Sequence, residues 1–351
     1  MRARDLVVQP DGKVVLAGYE SSGFGRDGVL VRLRTDGVPD STFNGDGILV
    51  LASYTDLDQL DAVDLLDDGA IVGGGYTEIN SDDRALLVKL TPSGFLDNTF
   101  DGDGLLTPTF STTSSRIYGV EGAGQQVVAA GALIINSTSA DLFILRRNAN
   151  GTADTGFGLN GVAEIDVLDD DWLDDLELLP DGRLAITGYT GSTAPGGDID
   201  FLLACYTADG DPDLGFGTNG IVITETSPFY EGGYGICTMP DGKLVVAGFG
   251  GALGNSSMVV LRYANDLSTA LEGASATLSM SIYPNPTVGL IHVEGITANA
   301  QVTFTDARGR VVVPARMAKG LFDMSGMDDG MYLVRVSDGA HNGAGRVVVL
   351  R

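Results

Sequence analysis

Histidine is nearly missing from this 351-residue chain, with only His292 and His341 near its end. Zinc sites, Ser-His-Asp triads and Cys-His pairs are therefore excluded from the larger part of the chain. Cysteine is almost as scarce: Cys205 and Cys237 fall in predicted strands of neighbouring repeats and read as buried free thiols. Lysine and arginine number 21 against 47 acids, and a net charge of −26 opposes nucleic acid and anionic lipid as partners. There is no Gly-rich phosphate loop and no basic patch. No run reaches 18 consecutive apolar residues, so the sequence holds no transmembrane helix. What abounds is glycine, 50 residues or about 14%, twice the usual share of roughly 7%. It follows no Gly-X-Y period, and this excess favours tight turns over long helices.

The acidity is confined to the front. Residues 1–279 carry 14 Lys+Arg against 41 Asp+Glu, whereas 280–351 carry 7 against 6. That break predicts two modules. The acidic one reads as a solvated, self-repelling surface, with cation binding as the alternative.

The front is repetitive. Pro10-Asp11-Gly12-Lys13-Val14-Val15-Leu16-Ala17-Gly18 returns at 180–188 and 240–248, and more worn at 67–75 and 124–131. The closing glycines, Gly18, Gly75, Gly131, Gly188 and Gly248, stand 57, 56, 57 and 60 residues apart. A second signature keeps the same step: Gly37/Asp40/Phe43, Gly94/Asp97/Phe100, Gly151/Asp154/Phe157 and Gly210/Asp213/Phe216. Two unrelated signatures on one period define a repeat. Each unit reads as four short strands, in the first copy 5–9, 13–19, 28–34 and 48–52, joined by Pro-Asp-Gly and Asp-Gly hairpin turns. Apolar runs such as Ile71-Val72 and Leu244–Val246 predict strands buried on both faces. A cation stands near the end of the third strand (Arg32, Lys89, Arg146, Arg262), with Cys205 in its place in the fourth copy.

Four strands in 50–60 residues suit a propeller blade better than a solenoid coil of roughly 20–30. The expected fold is all-β: a β-propeller-like array of about five four-stranded repeats over residues 1–265, the last breaking off after Tyr263. The recurring phenylalanines are expected to wedge between blades. The closing glycines are expected to end the inner strand where backbones approach. This combination of a QPDGK-type turn, a cation-bearing strand and the Asp/Phe segment resembles the delta-60 repeat family of bacterial secreted proteins. The resemblance implies a propeller-like fold and brings no catalytic residue with it; the third copy, which lacks Pro-Asp-Gly, departs most.

Residues 266–279 are small and polar and read as a linker. Alternation and hairpin turns over 280–351 predict a small immunoglobulin-like β-sandwich. Its motifs resemble the type A C-terminal sorting domain of the type IX secretion system, carried by Tyr283, Pro284, Asn285, Pro286, Gly289, Gly309, Arg310, Gly330 and Tyr332. The resemblance implies recognition of residues 280–351 by the type IX translocon, cleavage before or within the linker, and a secreted or outer-surface location. The alternative is a stalk without an address. Export calls for an N-terminal signal peptide. Met1–Leu6 lacks one and the chain opens inside a repeat, so the expectation is a natural start upstream, with a signal peptide and room for more blades.

Carboxylates are the one abundant reactive group. Asp46, Asp101 and Asp103 sit in Gly-rich turns at calcium-loop spacing, and Asp170 and Asp171 lie in an acidic run holding the only tryptophan, Trp172. These are the Ca2+ candidates; each also reads as a turn or solvated strand end. No catalytic residue and no cofactor are assigned. The functional expectation is a non-enzymatic surface propeller binding an extracellular protein or glycan through variable loops at 20–27, 77–83, 135–140, 190–198 and 249–256. The alternative is a secreted hydrolase, for example polysaccharide-acting, using paired carboxylates.

Overall fold

The computed structural model describes all residues except 23–24, 52–56, 111–113, 137–138, 192–197, 228, 252–256, 266–275, 278–280, 296–299, 307–310, 313, 319, 338–340 and 351. Among the described residues there is no helix, as glycine-rich, turn-punctuated β patterning predicts. The chain divides into two compact units, Met1–Leu267 and Ser268–Arg351.

The first unit is five antiparallel sheets, each made of strands in chain order. Blade 1 holds β1 (Arg2–Val8), β2 (Val14–Ser22), β3 (Gly25–Leu33) and β4 (Ile48–Leu51). Blade 2 holds β5 (Asp58–Leu65), β6 (Ile71–Ile79), β7 (Asp82–Leu90) and β8 (Leu105–Leu106). Blade 3 holds β9 (Ser114–Ala123), β10 (Gln126–Asn136), β11 (Ser139–Arg147) and β12 (Val162–Ile165). Blade 4 holds β13 (Asp170–Leu178), β14 (Leu184–Gly191), β15 (Ile199–Tyr206) and β16 (Ile221–Thr224). Blade 5 has three strands, β17 (Glu231–Thr238), β18 (Leu244–Gly250) and β19 (Ser257–Tyr263).

The core lies between blades rather than within any one of them. Four apolar clusters occupy the four successive interfaces. Adjacent residues of one strand serve opposite interfaces: Val127 packs toward blade 2 and Val128 toward blade 4. That is why the second strands read as unbroken apolar runs. The wedging phenylalanines are buried as expected. A Cβ on Gly94 would stand 2.3 Å from the Phe43 ring, and one on Gly210 2.9 Å from that of Phe157.

The third-strand cations of blades 1 to 3 fasten each of these blades to the next. Arg32 donates to Asp40 at 2.9 Å and to the Pro92 carbonyl of blade 2 at 2.6 Å. Lys89 meets Asp97 and the Ala149 carbonyl, both at 3.0 Å. Arg146 joins Asp154 at 2.7 Å and the Ala208 carbonyl. In blade 4, where Cys205 replaces the cation, Arg183 supplies the guanidinium to Asp213 at 2.7 Å.

The closing glycines do not end the inner strand. They lie inside β2, β6, β10, β14 and β18, each opposite a bulge in the first strand of its blade. The bulge pushes a carbonyl into the space a Cβ would need: a methyl at Gly18, Gly75, Gly131, Gly188 or Gly248 would sit 1.9 Å from that oxygen.

The second unit has two sheets. One runs β20 (Ala276–Thr277), β28 (His341–Val349), β27 (Gly330–Ser337), β23 (Gln301–Asp306), β24 (Val311–Val312). The other runs β21 (Ser281–Tyr283), β22 (Leu290–Glu294), β26 (Leu321–Asp323), β25 (Ala315–Ala318). Ile291, Val293 and Phe322 of one sheet share a core with Phe304, Val334 and Val347 of the other. The Tyr-Pro-Asn-Pro-Thr motif ties this unit's start to its end. Asn285 Oδ1 accepts the Val348 N–H at 2.9 Å, and Thr287 N–H donates to the Val348 carbonyl at 2.8 Å. Tyr332 is buried with its hydroxyl donating to the Asp328 carbonyl at 2.9 Å. Tyr283 stays exposed, stacked on His292. Gly309, Arg310 and most of the linker lie outside the described residues.

Candidate functional site

The first strands of successive blades, β1, β5, β9, β13 and β17, pack side by side and line one cavity of about 340 Å³. Each carries a one-residue bulge, at Arg4, Asp61, Tyr118, Asp174 and Tyr234. A bulged residue leaves the ladder and its side chain is re-aimed. All five line the cavity. One backbone feature, repeated five times, thus presents a cation, two carboxylates and two phenols.

Seven carboxyl groups line the cavity against one guanidinium, and they divide by what they hold. Four bond forward to the next blade's backbone. Asp5 accepts the Val63 N–H at 2.8 Å, Asp64 that of Gly122 at 2.7 Å, Asp175 that of Ile236 at 2.8 Å and Glu177 that of Thr238 at 3.0 Å. The bulge acids differ. Asp61 Oδ1 takes Arg4 Nε at 2.7 Å and Gln59 Nε2 at 2.6 Å, while Asp61 Oδ2 and Asp174 Oδ2 are buried without a hydrogen-bond partner.

Crowding acids in a partly dry cavity raises their proton affinity. Burial, reinforced by Asp64, Glu177 and Asp175, pushes Glu121 up to about 9. Burial and the charge of Asp175 push Asp174 up to about 7. Asp175 rises to about 6, again chiefly by burial, with backbone hydrogen bonds opposing. Aromatic rings extend the site: Tyr118 lies 5.4 Å from Trp172, Trp172 stacks on Tyr189, and Tyr234 stacks on Phe249 at 5.1 Å.

The sequence-derived calcium candidates are not gathered here. Asp46 and Asp103 are exposed, each locking its own turn by accepting the N–H of Ile48 or Leu105 at 2.9 Å. Asp101 shares with Asn44 a left-handed turn conformation, φ +51° and +48°. Asp170 is buried at the start of β13. Asp171 does meet Asp141 and Asp166, with carboxylate oxygens within 4.8 Å of one another. Its own oxygens are taken by the Val167 N–H at 2.7 Å and the Thr190 hydroxyl, so it caps the preceding loop. Glu231 does the same in blade 5 with the Thr226 N–H.

Two further expectations are corrected. Cys205 is buried and free, but Cys237, also free, is exposed. The loops expected at 20–27, 77–83 and 135–140 are largely paired hairpin ends, with Glu20 opposite Asp27, Ile79 opposite Asp82 and Asn136 opposite Ser139. Pairing satisfies backbone groups that a loop would leave to water. Residues 192–197 and 252–256 lie outside the described residues. Sequence reasoning missed the bulges themselves. Their signal was present: Arg4, Asp61, Asp174 and Tyr234 each stand fourteen residues before a closing glycine, and Tyr118 thirteen.

Residues 9–43, 66–100, 179–216 and 240–269 match a domain of unknown function (DUF5122) beta-propeller, and 281–350 match a secretion system C-terminal sorting domain. No curated protein matches the chain. Among solved structures it is similar to PorZ, an essential bacterial surface component of the type-IX secretion system of Porphyromonas gingivalis, at 13% identity and TM-score 0.38, covering 100% of this chain and 45% of that one. It is also similar to a protein of unknown function from Dyadobacter fermentans, at 10% identity and TM-score 0.45, covering 99% and 94%. A third is an endo-arabinase from Bacteroides thetaiotaomicron, at 11% identity and TM-score 0.38, covering 77% and 96%. The chain therefore spans less than half the length of PorZ.

Proposed function

For a chain that carries DUF5122 beta-propeller repeats and a type IX secretion sorting domain, we propose a binding protein, secreted or held at the cell surface, whose ligand site is the cavity between the inner strands. The sorting domain marks it for export, and in this reading residues 280–351 engage the translocon and are removed at the linker. The observation that carries the binding role is the set of five bulges. The framework residues of each blade repeat, while the one re-aimed side chain differs from blade to blade. A purely structural array has no need of that variation. The ligand site lies at the centre, where the side chains vary, rather than on the hairpin tips.

One observation favours hydrolysis as a second reading. Asp174, with a pKa of about 7, is a ready proton donor and shares the cavity with Asp61, fixed by Arg4. A donor facing a second carboxylate is what glycoside cleavage uses. Both readings are tested by screening the full chain against oligosaccharides, peptides and amines by thermal shift, and against polysaccharides for released reducing ends. Binding is expected to be lost in Tyr234→Ala and Asp174→Asn without sugar release. Binding indifferent to both substitutions would move the site elsewhere; sugar release abolished by Asp174→Asn would make the protein an enzyme.

A further inference from the structure

Beside the cavity the repeat changes character from one blade to another. The residue after each closing glycine is Tyr19, Tyr76, Ala132, Tyr189 and Phe249. In blades 1 and 2 a guanidinium covers the ring, Arg26 over Tyr19 at 4.8 Å and Arg116 over Tyr76 at 4.6 Å, and both tyrosines are buried. In blades 4 and 5 the ring meets other rings instead. Tyr189 stacks on Trp172, which leans on Tyr118, and Phe249 stacks on Tyr234. The two groups join at Gly232, where a Cβ would stand 3.2 Å from Phe249 Cε1 and 3.4 Å from Tyr189 Cβ. Five rings from blades 3, 4 and 5 thus form one arc, and among the described residues no guanidinium lies over them. Tyr118, Trp172, Tyr189 and Phe249 are half-buried, and Tyr234 is 61% exposed.

Arc and cavity are continuous, because Tyr118 and Tyr234 belong to both. Rings that the chain leaves uncovered favour a ligand with an apolar face. The cavity wall restricts that ligand further. Its seven carboxyl groups against one guanidinium oppose an anion. They do not call for a cation either. Asp5, Asp64, Asp175 and Glu177 hold backbone N–H groups, Asp61 holds Arg4, and the unpaired oxygens of Asp61 and Asp174 are closed off from solvent. What stays open is hydrogen bonding without net charge transfer: the phenol hydroxyls, and the half-exposed guanidinium of Arg4 beyond the Nε that meets Asp61. An uncharged molecule with a flat C–H face and a rim of hydroxyls fits both surfaces, and a sugar ring is such a molecule. We propose that the aromatic arc and the cavity bind a neutral oligosaccharide, its sugar faces laid along the rings from Tyr234 to Tyr118 and its hydroxyls on the cavity wall. This inference rests on the cavity being the ligand site and names the class of ligand that enters it.

Trp172 is the only tryptophan in the chain, so its fluorescence reports on the arc directly. Cellohexaose, maltohexaose, xylohexaose and mannohexaose are titrated into the full chain, with hexagalacturonate as the charged control, and heat is measured in parallel. At least one neutral hexasaccharide is expected to bind and to shift the Trp172 emission. Tyr234→Ala and Phe249→Ala are each expected to weaken that binding about tenfold or more. The exposed position of Tyr234 keeps the test usable if Phe249→Ala fails to fold. Phe95→Ala removes an exposed ring from a turn of blade 2 and is expected to change nothing. No signal with any neutral sugar overturns the proposal, as does hexagalacturonate binding equally well. A sugar that binds but ignores both ring substitutions also overturns it. If Asp174→Asn weakens that sugar, the cavity remains the site; if it does not, arc and cavity fall together. A peptide or amine whose binding is lost in Asp174→Asn, with no sugar bound, removes the glycan and keeps the cavity.

Discussion

Glu121 is the side chain with the largest raised proton affinity in the cavity and so a main contributor to how the first unit responds to pH. Its folded pKa of about 9 lies far above the ordinary carboxyl value, and those of Asp174 and Asp175 are raised too. Below about pH 4 such groups are protonated both folded and unfolded, and their burial carries no ionic penalty. As pH rises toward 9 the unfolded chain releases these protons first, so folding stability falls across that window. Asp40 works in the opposite sense. Burial would raise its pKa, but hydrogen bonds from Thr42 and Lys13 and the charge of Arg32 hold it well below the usual range, so its contribution persists above pH 4 and fades in stronger acid. The melting temperature of the first unit is therefore expected to be higher at pH 5 than at pH 9. Glu121→Gln should flatten that slope and stabilise the protein at pH 9 by a few kcal/mol, order of magnitude, as read by thermal melts across pH. Little of this was legible in the sequence. The shortage of histidine already ruled out several chemistries, but the state of Glu121 depends on acids from three blades meeting in one cavity.

At the scale of the element, the repeated cation shows its worth by comparison between blades. Arg32 is buried against Asp40 and reaches into blade 2, whereas Arg262 pairs with Asp241 at the exposed surface of blade 5. Arg32→Ala leaves buried Asp40 to Lys13 and Thr42 and frees the Pro92 carbonyl, and should cost about 2 kcal/mol; Arg262→Ala should cost under about 1 kcal/mol. Urea unfolding of the two variants checks the contrast. Strand positions and hairpin turns were legible because Pro-Asp-Gly and β-branched runs act locally. The exchange at Cys205 was visible as a departure, but its compensation by Arg183 was not, since that residue joins Asp213 through a neighbouring strand. The bulges escaped for a related reason: the extra residue shows in the pairing with the second strand, which the first strand's own residues do not reveal.

At the scale of the whole molecule, the chain divides into two compact units, Met1–Leu267 and Ser268–Arg351. Each unit has its own core. Calorimetry is expected to show two transitions, reproduced by fragments 1–267 and 268–351 separately; a single transition lost on splitting the chain would deny that independence. Blade 5 also differs from its siblings in what it offers onward. Where blades 1, 2 and 4 place an acid that bonds to the next backbone, it has Gly235 and Cys237, and Met258 and Val260 on β19 are exposed.

The register slip in each innermost strand separates two tasks that most β proteins must solve with the same residues. Packing is carried mainly by side chains still in the ladder, while the five that have slipped out differ from blade to blade as Arg, Asp and Tyr. Such an array could be rewritten one letter at a time, its interior chemistry drifting while its architecture stays put.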